Sequence, residues 1–271
     1  VTPFPPSSPL DLTALVLTFN EIANIDRTIK ALTWIPRILV IDSGSTDGTL
    51  EILAGFANVT VIHRRFDSFA RQCNFGLDQI SRGWVLSLDA DYVVPTALQN
   101  EIQERLSSPI DTAVCGFAIR FRYCIAGRPL RGTLYPARTA LYRAGLGRYQ
   151  DDGHGHRLKI DGTVRPLNHP LLHDDRKSLD RWLAAQDGYL RTEANKLLAT
   201  PSGQLALADR LRKHTPLAPI AALVVCLFLK GGIFDGRLGL FYAIQRLYAE
   251  VLLLLRLQEQ RIAGDQGRNA P

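Results

Sequence analysis

The sequence predicts an α/β chain: a mostly parallel sheet flanked by helices, followed by an apolar helical appendage. Three observations predict it. Strand-like and helix-like patterns alternate from residue 11 to about residue 110. Polar and acidic residues stand at the ends of three strand-like runs. From residue 201 to 271 the pattern gives way to long apolar stretches.

The alternation reads element by element. "LTALVLTF" (Leu12–Phe19) is a short apolar, β-branched run. "EIANIDRTIKAL" follows, with Ile22, Ile25, Ile29 and Leu32 at helical spacing. "RILVIDSGS" is a second buried strand ending at Asp42. "TDGTLEILAGF" reads as a helix with Leu50, Leu53 and Phe56 inward. "VTVIHRRF" is a third strand, and "DSFARQCNFGLDQI" a helix capped by Asp67 or Ser68. "WVLSLDAD" is a fourth strand. "PTALQNEIQERL" is a helix with Pro95 near its start and Leu98, Ile102 and Leu106 on one face. Strands separated by helices imply a parallel sheet covered on both faces.

In such sheets ligands bind beyond the carboxyl ends of the strands. Thr18, Asn20 and Glu21 follow the first strand; Asp42, Ser43 and Ser45 the second; Asp89 and Asp91 the fourth. One acidic strand end is ordinarily a helix cap. Three that converge point to a site. Asp89 and Asp91, one residue apart, have the spacing to hold a divalent cation, which relieves their repulsion and neutralises a bound diphosphate.

Past Gly116 the pattern changes. "FAIRFRYCIAGRPLRGTLY" alternates around a Gly-Arg-Pro turn, and "PARTALYRAGLGRYQ" continues strand-like. A loop-rich stretch then holds His154, His156, His169 and His173. "SLDRWLAAQDGYLRTEANKLLAT" is a helix with Leu179, Trp182, Leu183, Gln186, Tyr189 and Leu190 on one side. "PLAPIAALVVCLFL" is apolar but shorter than the roughly 20 residues of a spanning helix. After "KGGIFDGR" comes "LGLFYAIQRLYAEVLLLLRL". Two readings compete for this pair: helices packed on the domain or in a dimer, or helices lying in a membrane interface. Full spanning is a third. The expected division is therefore a flexible leader (1–10), a catalytic domain (11–200, halves 11–110 and 111–200) and a helical, membrane-interfacial region (201–271).

Composition excludes some classes. The 271 residues carry a net charge of +6. Four cysteines lack C-x-x-C spacing, which fits a reducing compartment rather than a disulfide framework or zinc site. The leader lacks the basic segment and apolar core of a signal peptide. Seven arginines (Arg120, Arg122, Arg128, Arg131, Arg138, Arg143, Arg148) and no acid lie between Thr112 and Gln150, a stretch suited to anions or to a solvated basic face. No nucleic-acid module accompanies them. "TFNEIAN" after the first strand has no glycine, against a dinucleotide-binding oxidoreductase and a sugar nucleotidyltransferase.

"TFNE", "VIDSGSTDGT" and "RQCNFGLDQISRGWVLSLDADYVV", in that order, resemble glycosyltransferase family 2 over Asp11–Val94. The resemblance implies the GT-A (nucleotide-diphospho-sugar transferase) fold with its Rossmann-like sheet. More loosely, "GRYQDDGHGHRLKIDG" and "LLHDDRKSLDRWLAAQDGY" resemble bacterial members that build cell-envelope glycans, such as lipopolysaccharide core enzymes.

What the resemblance implies is specific. Thr18, Phe19, Asn20 and Glu21 contact base and ribose of a nucleotide-sugar donor, and Asp42, beside Ser43, the nucleobase. Arg71 and Asn74 lie near the donor. Within Asp89-Ala90-Asp91, Asp89 meets ribose or metal and Asp91 is the principal ligand of a magnesium or manganese ion. His173 is a candidate third ligand, with a structural role as its alternative; His154 stands likewise open. Asp151 or Asp152 is the base of an inverting transfer, Asp152 favoured, with turn or capping roles as the alternative. Asp174, Asp175 and Arg176 contact acceptor or diphosphate, or form surface pairs. Arg181-Trp182 matches a pair in polysaccharide synthases, though Trp182 also suits core packing. The acceptor is a glycan or lipid-linked glycan, and the enzyme sits peripherally at the cytoplasmic face of the cell membrane. Against the pattern, Tyr92 stands where many relatives have an acid, and Gly155-His156 where envelope enzymes have His-Glu. An inactive membrane-attached scaffold is the non-enzymatic alternative.

Overall fold

An uncharged run from Leu12 to Thr18 forms an interior strand of the main sheet, β1. Alternate side chains leave a strand on opposite faces. Leu12, Ala14 and Val16 accordingly enter one apolar cluster and Leu15 the other. The same split holds for Ile38 and Val40 against Leu39 and Ile41. A strand buried on both faces needs an unbroken apolar run, which is what the sequence supplies.

The computed structural model describes residues 10–152 and 155–268. They divide into two units, one of residues 10–129, 135–152 and 155–176, the other of 130–134 and 177–268.

In the first unit, β1 is followed by α1 (Ile25–Lys30), β2 (Arg37–Asp42), α2 (Thr49–Leu53), β3 (Val59–His63), α3 (Phe69–Leu77), β4 (Trp84–Asp89), β5 (Tyr92–Val93) and α4 (Thr96–Ser107). The chain continues through β6 (Val114–Ile119), β7 (Phe121–Ile125), β8 (Arg128–Pro129), β9 (Arg138–Arg143), β10 (Gly147–Asp152), β11 (Gly155–Ile160), β12 (Thr163–Pro166) and β13 (Leu171–His173). The main sheet has the order β12-β6-β9-β4-β1-β2-β3. Its pairings are parallel except for β9, which runs antiparallel to both β4 and β6. A second sheet, β5-β13-β7-β8, and the β10–β11 hairpin complete the unit.

The details refine the sequence reading. Ile22 is not on a helix: α1 starts at Ile25, and Ile22 is exposed in the preceding turn. Ser68, not Asp67, caps α3, accepting from the Arg71 N–H. Pro95 is the N-cap of α4 rather than its first residue. Of the seven arginines, three have structural partners. Arg143 donates to the Val114 carbonyl at 2.9 Å and lies over the Trp84 ring. Arg148 pairs with Asp78, and Arg120 donates to the Asn168 carbonyl. His169 is held by buried Glu101, which also accepts from the Asn168 and His169 N–H groups. All four cysteines are free and buried.

The second unit holds α5 (Leu179–Ala199), α6 (Leu207–His214), α7 (Ala218–Val224), a π-helical turn (Val225–Leu229) and α8 (Gly236–Arg268). By contacts α5 counts with this unit, whereas the sequence reading put the break after residue 200. Its inner face is Leu190, Ala194 and Leu197, packed with Leu205, Ala249, Leu253 and Leu257. The predicted side is wrong at its ends: Leu179 and Tyr189 are exposed. Trp182 packs against Tyr248, ring centroids 5.9 Å apart. Arg212 forms an ion pair with buried Glu250. The stretch Gly232–Ala263 is long and apolar enough, by length and composition alone, to cross a membrane.

Gly76 shows how tightly α3 lies on the sheet. A Cβ there would fall 2.4 Å from Leu15 Cδ1 and 3.1 Å from Ile41 Cγ1. Both side chains are buried in the same cluster and have little room to move. Gly76→Ala is therefore expected to destabilise by about 1–3 kcal/mol, despite alanine's better helix propensity. Urea denaturation of the two proteins measures it; an unchanged midpoint would show that the sheet yields.

Candidate active site

The parallel register brings three strand ends together. Thr18 lies beside Asp42, and Leu17 beside Asp89. Thr18 is buried, and its hydroxyl has no hydrogen-bond partner among the described residues. Phe19 is exposed. Asn20 takes a left-handed conformation with φ of 54°. That turn is stitched to the segment after β2: Asn20 N–H donates to Ser45 Oγ (2.9 Å) and Thr46 N–H to Asn20 Oδ1 (2.8 Å). Glu21 N–H donates to Thr49 Oγ1 at 2.8 Å.

Asp42 organises this loop. Its carboxylate is wholly buried and accepts from Gly44 N–H (2.8 Å), Ser45 N–H (3.0 Å) and Ser45 Oγ (2.5 Å), with His63 Nδ1 at 3.2 Å. Burial pushes its pKa up, but the hydrogen bonds from Ser45, Gly44 and His63 outweigh that and hold it below the ordinary aspartate value. Gly44, at φ of 98°, makes the turn possible. Both Asp42 oxygens shape the loop. Ser43 Oγ accepts from Gln72 Nε2 at 2.8 Å.

At the end of β4, Asp89 is half-buried and Ala90 buried. Asp91 Oδ2 faces His173 Nε2 at 3.2 Å. The contact follows from strand pairing, since β13 sets His173 against Tyr92 on one side and Tyr123 on the other. Tyr92, Tyr123 and Tyr135 surround the imidazole edge-on, with ring centroids 4.9–5.1 Å away. Burial works against the imidazolium, yet the charges of Asp91 and Asp89 leave the His173 pKa raised. His173 Nδ1 is buried, with no hydrogen-bond partner among the described residues.

These donors suit a divalent cation in a particular way. Among the described residues no three His, Cys, Asp or Glu side chains form a group that could hold a metal ion, so Asp89 does not complete a triad with Asp91 and His173. A carboxylate and an imidazole side by side fit an ion that draws its remaining ligands from substrate phosphates and water.

A network behind the site joins its two halves. Thr28 Oγ1 donates to the Ala90 carbonyl at 2.6 Å, and Asp174 N–H to the Asp91 carbonyl at 2.9 Å. Arg27 donates to the Asp174 carbonyl, and Arg176 to the buried Asp174 carboxylate. Asn24 donates to Glu21 and Asp175 and accepts from Arg176 N–H. Asp174, buried, and Asp175 and Arg176 beside it thus brace the chain around Asp91.

The β10–β11 hairpin is strapped to α3. Asn74 donates to the Tyr149 carbonyl and accepts from the Tyr149 N–H, both at 2.9 Å. Both ends of the amide are thus taken up by the hairpin. Arg71 is exposed and pairs with Asp67 at 3.6 Å. Asp151 accepts from Ser68 Oγ (3.1 Å) and Ala70 N–H (3.4 Å) at the start of α3. Asp152 pairs with Arg157 at 3.0 Å. His154 lies outside the described residues.

His156, read from the sequence only as a departure from a His-Glu pair, sits among aromatic rings. Its ring stacks on Phe69 at 5.7 Å and meets Tyr149 edge-on at 5.0 Å. Burial lowers its pKa, and it feels the charges of Asp89, Arg138 and Asp151. The hairpin register sets it opposite Asp151.

Comparisons with known proteins follow the same outline. Residues 13–158 match the family model described as "Glycosyl transferase family 2". The chain is 30% identical over 194 residues to the lipopolysaccharide core biosynthesis glycosyltransferase LpsC of Rhizobium meliloti (strain 1021), covering 69% of this chain and 72% of that protein. It is 32% identical over 93 residues to an uncharacterized glycosyltransferase of Rickettsia bellii (strain RML369-C), covering 34% of this chain and 31% of that one. Among solved structures, S. aureus TarS 1-349 in complex with UDP-GlcNAc aligns at a TM-score of 0.49 and 14% identity, over 94% of this chain and 92% of that one.

The Asp42 loop makes a pH-dependent prediction. A carboxyl whose folded pKa is depressed stabilises above its unfolded pKa, and that stability is lost as pH falls through the folded value. Asp42→Asn is expected to cost about 2–3 kcal/mol near neutrality, because an amide cannot accept all these bonds. It should also flatten the acid limb, with Asp47, likewise depressed by Thr49 and Ile22 despite burial, leaving a residual slope. Thermal unfolding followed from pH about 6 to about 3 checks this; parallel curves for the two proteins would contradict it.

Proposed function

The chain belongs to glycosyl transferase family 2, and on that premise we propose that it performs an inverting, metal-dependent transfer from a uridine diphosphate sugar to a lipid-linked or envelope glycan. That it is a glycosyltransferase of the GT-A type follows from the family and from the sheet order described above. The observation that carries the finer reading is the Asp91–His173 pair at the end of β4.

Asp91 and His173 are the residues that would hold magnesium or manganese. The ion, when bound, supplies positive charge against the developing charge on the departing nucleoside diphosphate. Thr18, Phe19, Asn20, Glu21 and Ser43 line the donor side, with Asp42 shaping that loop from behind. Asp89 and Ala90 carry the chain from the sheet to Asp91, and Asp89 faces the donor ribose. Arg71 stands on the exposed side of α3 for a donor phosphate.

Asp152 is the base for the acceptor hydroxyl. Asp151 is bonded at the start of α3 and Asp152 is paired with Arg157, and neighbouring residues of an extended strand point to opposite sides, so the two carboxyls serve different surroundings. The likeness to a lipopolysaccharide core enzyme supports an envelope acceptor. Such an acceptor puts the enzyme peripherally at the inner face of the cell membrane.

A donor screen that reads released nucleoside diphosphate, with membrane extract as acceptor, tests this. Asp91→Ala is expected to lower turnover by about 10²–10³ and to abolish manganese-dependent binding of uridine diphosphate. Asp152→Asn should lower turnover by about 10²–10⁴ while donor binding stays intact. Asp151→Asn should instead cost about 1 kcal/mol of stability through the lost cap. Full activity in Asp152→Asn would remove it as the base, and undiminished turnover after chelation would remove the metal.

A further inference from the structure

The second unit leaves an apolar face uncovered. On α7 and the π-helical turn, Leu217, Ile220, Val224 and Phe228 recur at helical spacing, and all are exposed. On α8, Leu240, Ile244, Tyr248, Val251 and Leu255 do the same. Between the helices, Leu229 and Phe234 are 76% and 77% exposed. Isolated exposed apolar residues are ordinary, but two stripes meeting at an apolar turn are not.

The opposite side of α8 is committed. Tyr242, Ala243, Ala249, Leu253 and Leu257 are buried, three of them in the cluster with α5. A helix crossing a bilayer alone faces lipid all round, whereas α8 offers one face and carries buried Glu250 on the other.

Charge says what covers the exposed face. From Pro216 to Leu255 the acids are Asp235 and Glu250, and the bases Lys230, Arg237 and Arg246. Both acids are occupied. Asp235 accepts from Arg131 N–H (2.7 Å) and Gly132 N–H (3.2 Å), and Glu250 is paired with Arg212. Lys230 and Arg237 are exposed at the turn beside Leu229 and Phe234. An apolar face rimmed by uncompensated cations fits the headgroup region of an anionic monolayer.

We propose that this helical hairpin docks on an anionic lipid surface, its apolar face down, with Phe228, Leu229 and Phe234 entering the acyl boundary and Lys230 and Arg237 meeting the headgroups. The proposal rests on the membrane-face reading above and names the surface and the lipid charge that serve it. Docking requires neither donor nor metal.

The test is co-sedimentation of the full chain with vesicles of phosphatidylcholine alone or mixed with phosphatidylglycerol. The chain should sediment with the mixed vesicles and be released by alkaline carbonate. Phe228→Ser with Phe234→Ser should lower partitioning at least about tenfold, without changing the circular dichroism spectrum, since both side chains are exposed. Lys230→Glu and Arg237→Glu should each lower it about fivefold or more, with the effect fading at high salt. Equal binding to both vesicle types would overturn the role of lipid charge, and retention after carbonate the docked geometry. A stable dimer by light scattering that sediments with neither vesicle would show that a second copy covers the face. Uridine diphosphate binding on the same preparations separates the two readings: if it persists while vesicle binding fails, docking falls and the transferase stands.

Discussion

Parallel pairing of β1 with β2 on one side and β4 on the other is the constraint from which the site follows. It makes Thr18, Asp42 and Asp89 leave the sheet along one edge. Carboxylates gathered this way repel one another unless each finds its own compensation. Asp42 finds it in a turn of N–H groups and a hydroxyl, and Asp91 in an imidazole brought up by a separate small sheet. The two solutions differ in kind. The first closes a charge within the protein. The second leaves a carboxylate and an imidazole beside each other, which suits them to an exogenous cation and the anions it carries.

The edge is held together by contacts that no motif contains. Asn24, Arg27 and Thr28, on α1 and the turn before it, reach the backbone just before Asp91 and the segment after His173. The turn after β1 and the Asp91–His173 pair are thereby braced by one short helix. Preorganisation of this sort matters where the protein stabilises charge that develops during a reaction, because groups already in place need no further ordering.

The alternating strands and helices of the first unit were legible because each strand is buried on both faces and therefore unbroken in apolarity. The edge residues were legible because parallel sheets send strand ends to one side. What was not legible depended on partners distant in sequence. Asn74 looked like a free amide on a helix, yet it spends both ends on Tyr149, 75 positions away. Asp42 looked like an open acid because the turn that encloses it is made of small polar residues. The face of α5 was misjudged because its partners lie in α8, and apolar residues at its exposed end match the helical period equally well. His156 needed the hairpin register before it could be put near Asp89, Arg138 and Asp151.

Strand β9 is reversed between β4 and β6. At the edge where the other strands of the main sheet depart, β9 arrives. The chain that leaves at Ile119 returns there at Arg138, and the excursion between them carries Tyr123 and Tyr135 to the His173 ring. An excursion with both ends at the same edge adds material to that edge without altering the strand order of the main sheet: β7, on this excursion, pairs with β13 and so sets His173 beside Asp91.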